Sequence, residues 1–192
     1  MTPHWKQPSH PNVLEVVEQP GSFTTFSRAK KSLPPGALVA RLSPELTLSQ
    51  SAYSSVQVAA DQHVELNSDF LYINHSCNPS LEFHIIKLDE HEKRNGSLNG
   101  NHTAVPYAIE VRVAARKDSS GTKIGLKEGE ELTFFYPSTE WDMSQPFECR
   151  CKEVTCRGLI TGAKSMGRKQ LEGLFLNQHI RQLLEKTPSD GR

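Results

Sequence analysis

The feature that most constrains this chain of 192 residues is the placement of its four cysteines. Cys149, Cys151 and Cys156 lie close together in the polar segment PFECRCKEVTCRG, and Cys77 is the only other cysteine in the sequence. Clustered thiolates held by tight turns suit a structural zinc ion, which takes four ligands. The spacing therefore predicts one zinc ion that joins the C-terminal segment to the body of the domain and contributes to folding.

Two other interpretations fit the same spacing. In the first, the clustered cysteines are unrelated reduced thiols. In the second, three cysteines bind the metal ion and one of the eight histidines supplies the fourth ligand. Disulfides are disfavoured, because the N-terminal residues MTPHWKQPSHPN contain no apolar run typical of a signal peptide. No stretch approaches the ~18 apolar residues of a membrane span. We therefore expect a soluble intracellular protein of the nucleus or cytoplasm, without membrane attachment.

The charge balance restricts the choice of partners. Lys and Arg together number 22, as do Asp and Glu, so the formal net charge is zero. A broad basic face is not expected from this balance, and we predict no direct binding to nucleic acid. The sequence leaves the oligomeric state open.

The pattern along the chain predicts a mainly β fold of small sheets with short helices. Short segments rich in β-branched residues are separated by turn signals. The polar stretch 89–106 predicts a flexible insertion loop between two hairpin strands, and residues 1–11, with three prolines, predict a disordered arm. Residues 165–186 predict an amphipathic helix, which packs on the core or, alternatively, binds a partner. The predicted strands are 13–17, 37–42, 53–59, 63–66, 81–86, 107–113 and 132–136.

Three motifs, in this order, resemble those of the SET-domain protein-lysine methyltransferases. Residues 73–79 (INHSCNP) resemble the family motif NHSCxPN, and residues 129–136 (GEELTFFY) resemble GEELTFDY. Residues 149–158 (CRCKEVTCRG) resemble the post-SET zinc motif, whose fourth ligand in the family is the cysteine of the first motif. The match covers about residues 12–165 and includes no pre-SET cysteine cluster.

The resemblance implies a specific fold and domain division. A SET domain of small curled β-sheets is expected at 12–140, with a post-SET zinc segment at 145–164 and the C-terminal helix after it. The chain around Tyr136 is expected to thread under the loop near 74–77 and form a C-terminal pseudoknot. S-adenosylmethionine and a target lysine would then meet from opposite faces of this knot.

The resemblance also implies the roles of individual residues. Tyr136 matches the catalytic tyrosine at the methyl-transfer centre and also borders the cofactor. Asn74 and His75 match cofactor-binding positions, the histidine largely through its backbone. Phe134 matches the substrate-channel position that governs how many methyl groups are added, and a phenylalanine there favours di- or trimethylation. The expected reaction is in-line methyl transfer to a lysine of a protein substrate, histone or non-histone.

Three positions depart from the family motifs. Phe135 replaces an acidic residue, and Ser80 replaces the asparagine that ends NHSCxPN. In the N-terminal cofactor loop, matched to Gly21 and Phe23, Thr24 takes the place of a second glycine. These departures favour one alternative, a non-catalytic SET-like binding protein. A second alternative is a SET-fold enzyme that acts on a small molecule, because the chain shows no reader domain or basic arm.

Overall fold

The computed structural model describes residues 3–21, 24–43, 45–92, 105–118 and 120–187, which form small β-sheets with short helices. The predicted mainly β fold is confirmed, and each predicted strand segment contains a strand. The α-helices α1 (Arg168–Leu171) and α2 (Gln178–Lys186) follow the strands, and 3₁₀ turns span Asp69–Tyr72 and Tyr136–Ser138. The strands are β1 (Leu14–Val17), β2 (Phe26–Ala29), β3 (Leu38–Leu42), β4 (Thr47–Ser49), β5 (Ser55–Ala59), β6 (Gln62–Glu65), β7 (Asn74–His75), β8 (Leu81–Lys87), β9 (Tyr107–Val113), β10 (Arg116–Lys117), β11 (Lys123–Ile124), β12 (Thr133–Phe134), β13 (Phe147–Glu148) and β14 (Leu159–Ile160).

The β8–β9 hairpin is the centre of the largest sheet. The two strands pair antiparallel from Leu81 opposite Val113 to Lys87 opposite Tyr107. Alternation along β9 buries Ile109, Val111 and Val113 and turns Glu110 and Arg112 outward, where they form an ion pair. The predicted insertion 89–106 connects these strands, and most of it, residues 93–104, lies outside the described residues.

The five-stranded sheet has the order β3-β9-β8-β12-β7, and its last strands are threaded. β12 pairs in parallel with β7 on one side and with Leu81 of β8 on the other. Because β7 and β8 are joined only by residues 76–80, the chain at β12 passes beneath that short connection. This crossing is the threaded arrangement expected near Tyr136.

Two hydrophobic cores stabilise the molecule. The larger core lies around the five-stranded sheet and includes Phe70, Phe83 and Leu132. The smaller core joins the cysteine segment to the C-terminal helices and includes Cys77, Phe135, Ile160, Met166 and Ile180. Phe135, at the position where the family motif is acidic, is thus an apolar contact between the threaded strand and the C-terminal segment.

The C-terminal segment forms two helices where the sequence pattern predicts one. Gly173, between α1 and α2, has φ +77°, a conformation that favours glycine and interrupts a helix. Asn177 then precedes α2, and its side chain accepts a hydrogen bond from Ile85 N–H at 2.8 Å and donates to Phe83 O at 2.7 Å. Tertiary bonds to β8 therefore set the start of α2, whose Ile180 is fully buried. No helix among the described residues has the length and apolar character to cross a membrane.

The described part of the N-terminal segment, from residue 3, is held against the domain, where the sequence predicts a disordered arm. Asp69 is almost fully buried and accepts hydrogen bonds from Trp5 Nε1 at 3.0 Å, Gln7 Nε2 at 2.7 Å and Ser9 N–H at 2.7 Å. A buried carboxylate requires such donors. The N-terminal segment therefore supplies the hydrogen-bond donors for the Asp69 carboxylate, in the turn Asp69–Tyr72 that precedes Asn74.

Candidate functional site

The four cysteines form one cluster. Their Sγ atoms all lie within 4.8 Å of one another, and the Sγ atoms of Cys77 and Cys149 are 3.8 Å apart. Tetrahedral zinc with Zn–S bonds of about 2.3 Å separates its sulfurs by about 3.8 Å. The cluster therefore fits one four-coordinate ion, as the cysteine spacing predicts.

A short hairpin brings the three clustered cysteines together. β13 and β14 pair antiparallel, and Cys149 N–H donates to Gly158 O at 2.9 Å, which closes the loop between them. Inside the loop, Cys156 N–H donates to Glu153 O at 3.0 Å and Lys152 has φ +59°. These tight turns direct the thiols toward Cys77, which is carried by the connection between β7 and β8.

The surroundings of Cys77 favour a compensating cation. Burial raises the pKa of its thiol to about 11, so an isolated thiolate at this position is unfavourable at neutral pH. Arg157 N–H donates to Cys77 Sγ at 3.3 Å, and His75 Nε2 lies 3.4 Å from the same sulfur. Two N–H groups directed at one sulfur suit a metal-bound thiolate.

Tyr136 lies at the threaded crossing and is held at both ends. Its hydroxyl donates to Ile73 O at 3.1 Å, and its backbone N–H donates to His75 Nδ1 at 3.2 Å. The rings of Phe134 and Phe147 flank it, at centroid distances of 4.7 and 6.0 Å. Burial, aided by the nearby charge of Glu140, raises the pKa of Tyr136, so its hydroxyl stays neutral and can donate a hydrogen bond.

Asn74 and His75 lie beside this tyrosine, on β7. Asn74 Nδ2 donates to Thr25 O at 3.2 Å, which links the motif to the chain just after the predicted cofactor loop. His75 is largely buried, and burial lowers its pKa to about 4, so the imidazole is neutral. The parallel pairing of β12 with β7 thus brings the two motifs together.

The predicted cofactor loop is only partly described. Gly21 has φ +123°, and Thr24 Oγ1 donates to Gln19 O at 2.6 Å and to Gly21 O at 3.2 Å. At the position where the family has its second glycine, the Thr24 side chain thus bonds the backbone of Gln19 and Gly21. Phe23, the other predicted residue of this loop, lies outside the described residues.

Ser80, the second departure, takes part in the threaded crossing. Its hydroxyl accepts from Thr133 N–H at 2.8 Å and lies 3.2 Å from Glu131 O, to which it donates. Its own N–H donates to Thr133 Oγ1 at 3.1 Å. Serine therefore connects the two motifs here with several hydrogen bonds.

Phe134, the predicted channel residue, is buried between two aromatic rings. It stacks on Phe83, with centroids 4.2 Å apart and an interplanar angle of 8°, and contacts Tyr136 on the other side. Phe134 thus borders Tyr136 and also belongs to the larger core.

A largely buried polar cluster next to Tyr136 was not predicted from the sequence. Glu140 Oε1 accepts from Gln57 N–H at 2.9 Å, and Glu140 Oε2 lies 3.8 Å from His63 Nε2. Thr139 Oγ1, which lies 3.1 Å from Glu140 Oε1, also donates to Tyr136 O at 3.2 Å. Burial raises the pKa of Glu140 to about 7. No sequence signal identifies this cluster, because its members come from distant strands and a turn.

Comparison with known proteins shows that the chain is similar to methyltransferases. Methyltransferase flvH of Aspergillus flavus is 39% identical over 182 residues, which cover 95% of this chain and 86% of that protein. Histone-lysine N-methyltransferase ash1 of Drosophila melanogaster is 32% identical over 106 residues, 55% of this chain but only 4% of that protein. No protein-family model matches the chain. The chain therefore belongs to the family of methyltransferases that includes flvH.

Proposed function

We propose that this protein is a SET-domain methyltransferase that transfers a methyl group from S-adenosylmethionine to the side-chain amine of a lysine in a protein substrate. The observation that carries the proposal is the crossing of β7 and β12, where Tyr136 donates its backbone N–H to His75 Nδ1 and its hydroxyl to Ile73 O, the residue before Asn74. The cysteine cluster adjoins the same crossing through Cys77. This combination agrees with the order of the three sequence motifs.

The residues that the motifs assign to the cofactor come together on the chain around β7. Asn74 lies next to the loop that contains Gly21, and its side-chain amide reaches the backbone of that loop region. Asn74, the backbone of His75, Gly21, Phe23 and Tyr136 are the residues proposed to hold S-adenosylmethionine. When bound, this cofactor supplies the methyl group as an electrophilic sulfonium.

Tyr136 and its aromatic neighbours would prepare the acceptor amine. A free lysine has a pKa of about 10.4, and only the neutral amine is a nucleophile. The apolar rings of Phe134 and Phe147 disfavour an ammonium beside Tyr136, which lowers the pKa of an amine bound there. The neutral tyrosine hydroxyl orients the reacting groups, and orientation alone supplies on the order of 7 kcal/mol or more in favourable cases.

The proposed metal ion has a structural role. One zinc ion bound by Cys77, Cys149, Cys151 and Cys156 would attach the C-terminal segment to the threaded crossing. All four ligands come from the protein, as in closed structural sites. We assign it no step in methyl transfer.

Two alternatives remain distinct proposals. Methyltransferase flvH, which matches nearly the whole chain, is named for no substrate, whereas ash1 is named for histone lysine and matches over a shorter region. A small-molecule amine is therefore the second candidate substrate. A non-catalytic role is disfavoured by Ser80 and Phe135, which depart from the motifs but form bonds and contacts at the crossing.

Calorimetric titration of the zinc-loaded protein with S-adenosylmethionine and S-adenosylhomocysteine tests the proposal first. We expect micromolar binding of both, followed by methylation on a lysine-peptide array. Activity on free amines alone would favour the small-molecule alternative. Absence of binding at millimolar S-adenosylmethionine would favour the non-catalytic binding protein.

The catalytic role of Tyr136 is tested by Tyr136→Phe. We expect cofactor affinity to stay close to wild type and stability to fall by only about 1 kcal/mol, from the lost bond to Ile73 O, while turnover falls by about 100-fold or more, since the lost hydroxyl acts at the transfer centre. Tyr107→Phe is the matched control, because Tyr107 lies at the end of β9 remote from β12. Turnover that is equal in the two variants would contradict the role.

A further inference from the structure

We propose that the His75 imidazole is a positioning residue that couples the metal site to Tyr136, by donating from Nε2–H to the Cys77 thiolate and accepting the Tyr136 backbone N–H at Nδ1. The inference rests on the proposed metal site. It adds a role for the side chain of a residue whose expected contribution is through its backbone.

The hydrogen-bond geometry selects one form of the imidazole. The Tyr136 backbone N–H is always a donor, so the Nδ1 atom that lies 3.2 Å from it must carry a lone pair. In a neutral ring the proton then lies on Nε2, which is 3.4 Å from Cys77 Sγ. One tautomer therefore satisfies both contacts without any rearrangement.

Packing holds the imidazole in this orientation. The rings of Phe135, Tyr136 and Phe147 surround it, with centroid distances of 5.5, 5.3 and 5.5 Å. Phe135 belongs to the small core, and Phe147 belongs to β13, the strand that leads into Cys149. The ring thus contacts both the metal segment and the tyrosine that it would position.

The contact with Cys77 has a clear chemical consequence. Cys77 Sγ receives His75 Nε2–H and Arg157 N–H, and both hydrogen bonds stabilise a thiolate more than a thiol. Outer-shell donors of this kind commonly contribute about 10–100-fold to metal affinity. In the other direction, metal release would free the four sulfurs from one another, so that Cys77 Sγ would no longer be fixed against Nε2 and the ring that holds Tyr136 N–H would be less constrained.

The first test observes the wild-type chain and needs no substituted variant. In nitrogen-15-labelled protein loaded with cadmium-113, long-range proton–nitrogen spectra report the tautomer of His75. We expect the proton on Nε2 and a coupling from it to cadmium through the Cys77 sulfur. A proton on Nδ1 would overturn the inference.

The second test measures each direction of the coupling. Competition with a chromophoric chelator should show zinc binding weakened about 10–100-fold in His75→Ala and unchanged in the control His84→Ala, whose ring bonds Glu82 instead. In the wild type, zinc removal should speed hydrogen exchange at the Tyr136 amide selectively over amides of the β8–β9 hairpin. Unchanged zinc affinity, or exchange that rises equally in both places, would refute the coupling.

These measurements separate the inference from the proposed function. They report metal affinity, a tautomer and an amide exchange rate, and none of them requires methyl transfer. If zinc affinity depends on His75 but the protein methylates no substrate, the inference holds and the proposed function is wrong. If the protein methylates lysine but His75→Ala leaves zinc affinity unchanged, the proposed function holds and the inference is wrong.

Discussion

Replacing Glu140 by glutamine should stabilise the protein at neutral and alkaline pH. Glu140 is largely buried, and the pKa of His63, whose Nε2 lies 3.8 Å from its carboxylate, is lowered by burial, so this histidine does not offset the charge of Glu140 at neutral pH. The glutamine side chain keeps an oxygen that can accept from Gln57 N–H, so the substitution removes the charge and preserves the shape and this hydrogen bond.

The magnitude follows from the raised pKa of Glu140. Its pKa is about 7 in the folded protein against the ordinary value of 4.5, so folding disfavours the charged form. A raised carboxyl pKa leaves stability intact below pH 4.5 and lowers it progressively as the pH rises to about 7. At 1.36 kcal/mol per pKa unit, the full loss is roughly 3 kcal/mol, of which about 2.5 kcal/mol develops between about pH 5 and pH 8.

The assay is urea denaturation of the wild type and of Glu140→Gln across that pH range. The free energy of unfolding of the variant should exceed that of the wild type by less than about 1 kcal/mol at pH 5 and by roughly 3 kcal/mol at pH 8. Glu128→Gln, on an exposed turn, is the matched control and should show no such divergence. A constant difference between variant and wild type at all pH values would refute the argument that a buried charge is being removed.

Three further predictions concern the contacts that assemble the molecule. Asn177→Ala should cost about 2–4 kcal/mol in urea denaturation, because it leaves the buried Phe83 carbonyl and its neighbours unpaired; unchanged stability would contradict this. Asp69→Asn should cost roughly 1–3 kcal/mol and speed proteolytic cleavage near Trp5, since one acceptor oxygen becomes a donor; unchanged cleavage would show that the arm is held otherwise. Cys151→Ser should lower the zinc-to-protein ratio and the melting temperature, and full retention of both would exclude the four-cysteine site.

The strands were predictable because their signal is local. Alternation in segments such as Tyr107–Val113 requires only that one face be buried, and the structure places strands in all of the predicted segments. The short strands β13 and β14 were not predicted from alternation, since each has two residues and exists because the hairpin closes around the cysteine loop. The break between α1 and α2 was also missed, because the apolar period continues across Gly173.

The amino-acid sequence by itself determined the strand pattern, the cysteine set and the motifs that contain Asn74 and Tyr136, because each is written in neighbouring residues. Only the tertiary structure decided which groups face one another. Glu140 meets Gln57 across 83 positions, and Asn177 bonds Ile85 across 92. The hydrogen bond from Tyr136 N–H to His75 Nδ1 likewise joins residues 61 positions apart. Such contacts depend on chain crossing and burial, and hydrogen-bonding groups buried there must find partners wherever the fold supplies them.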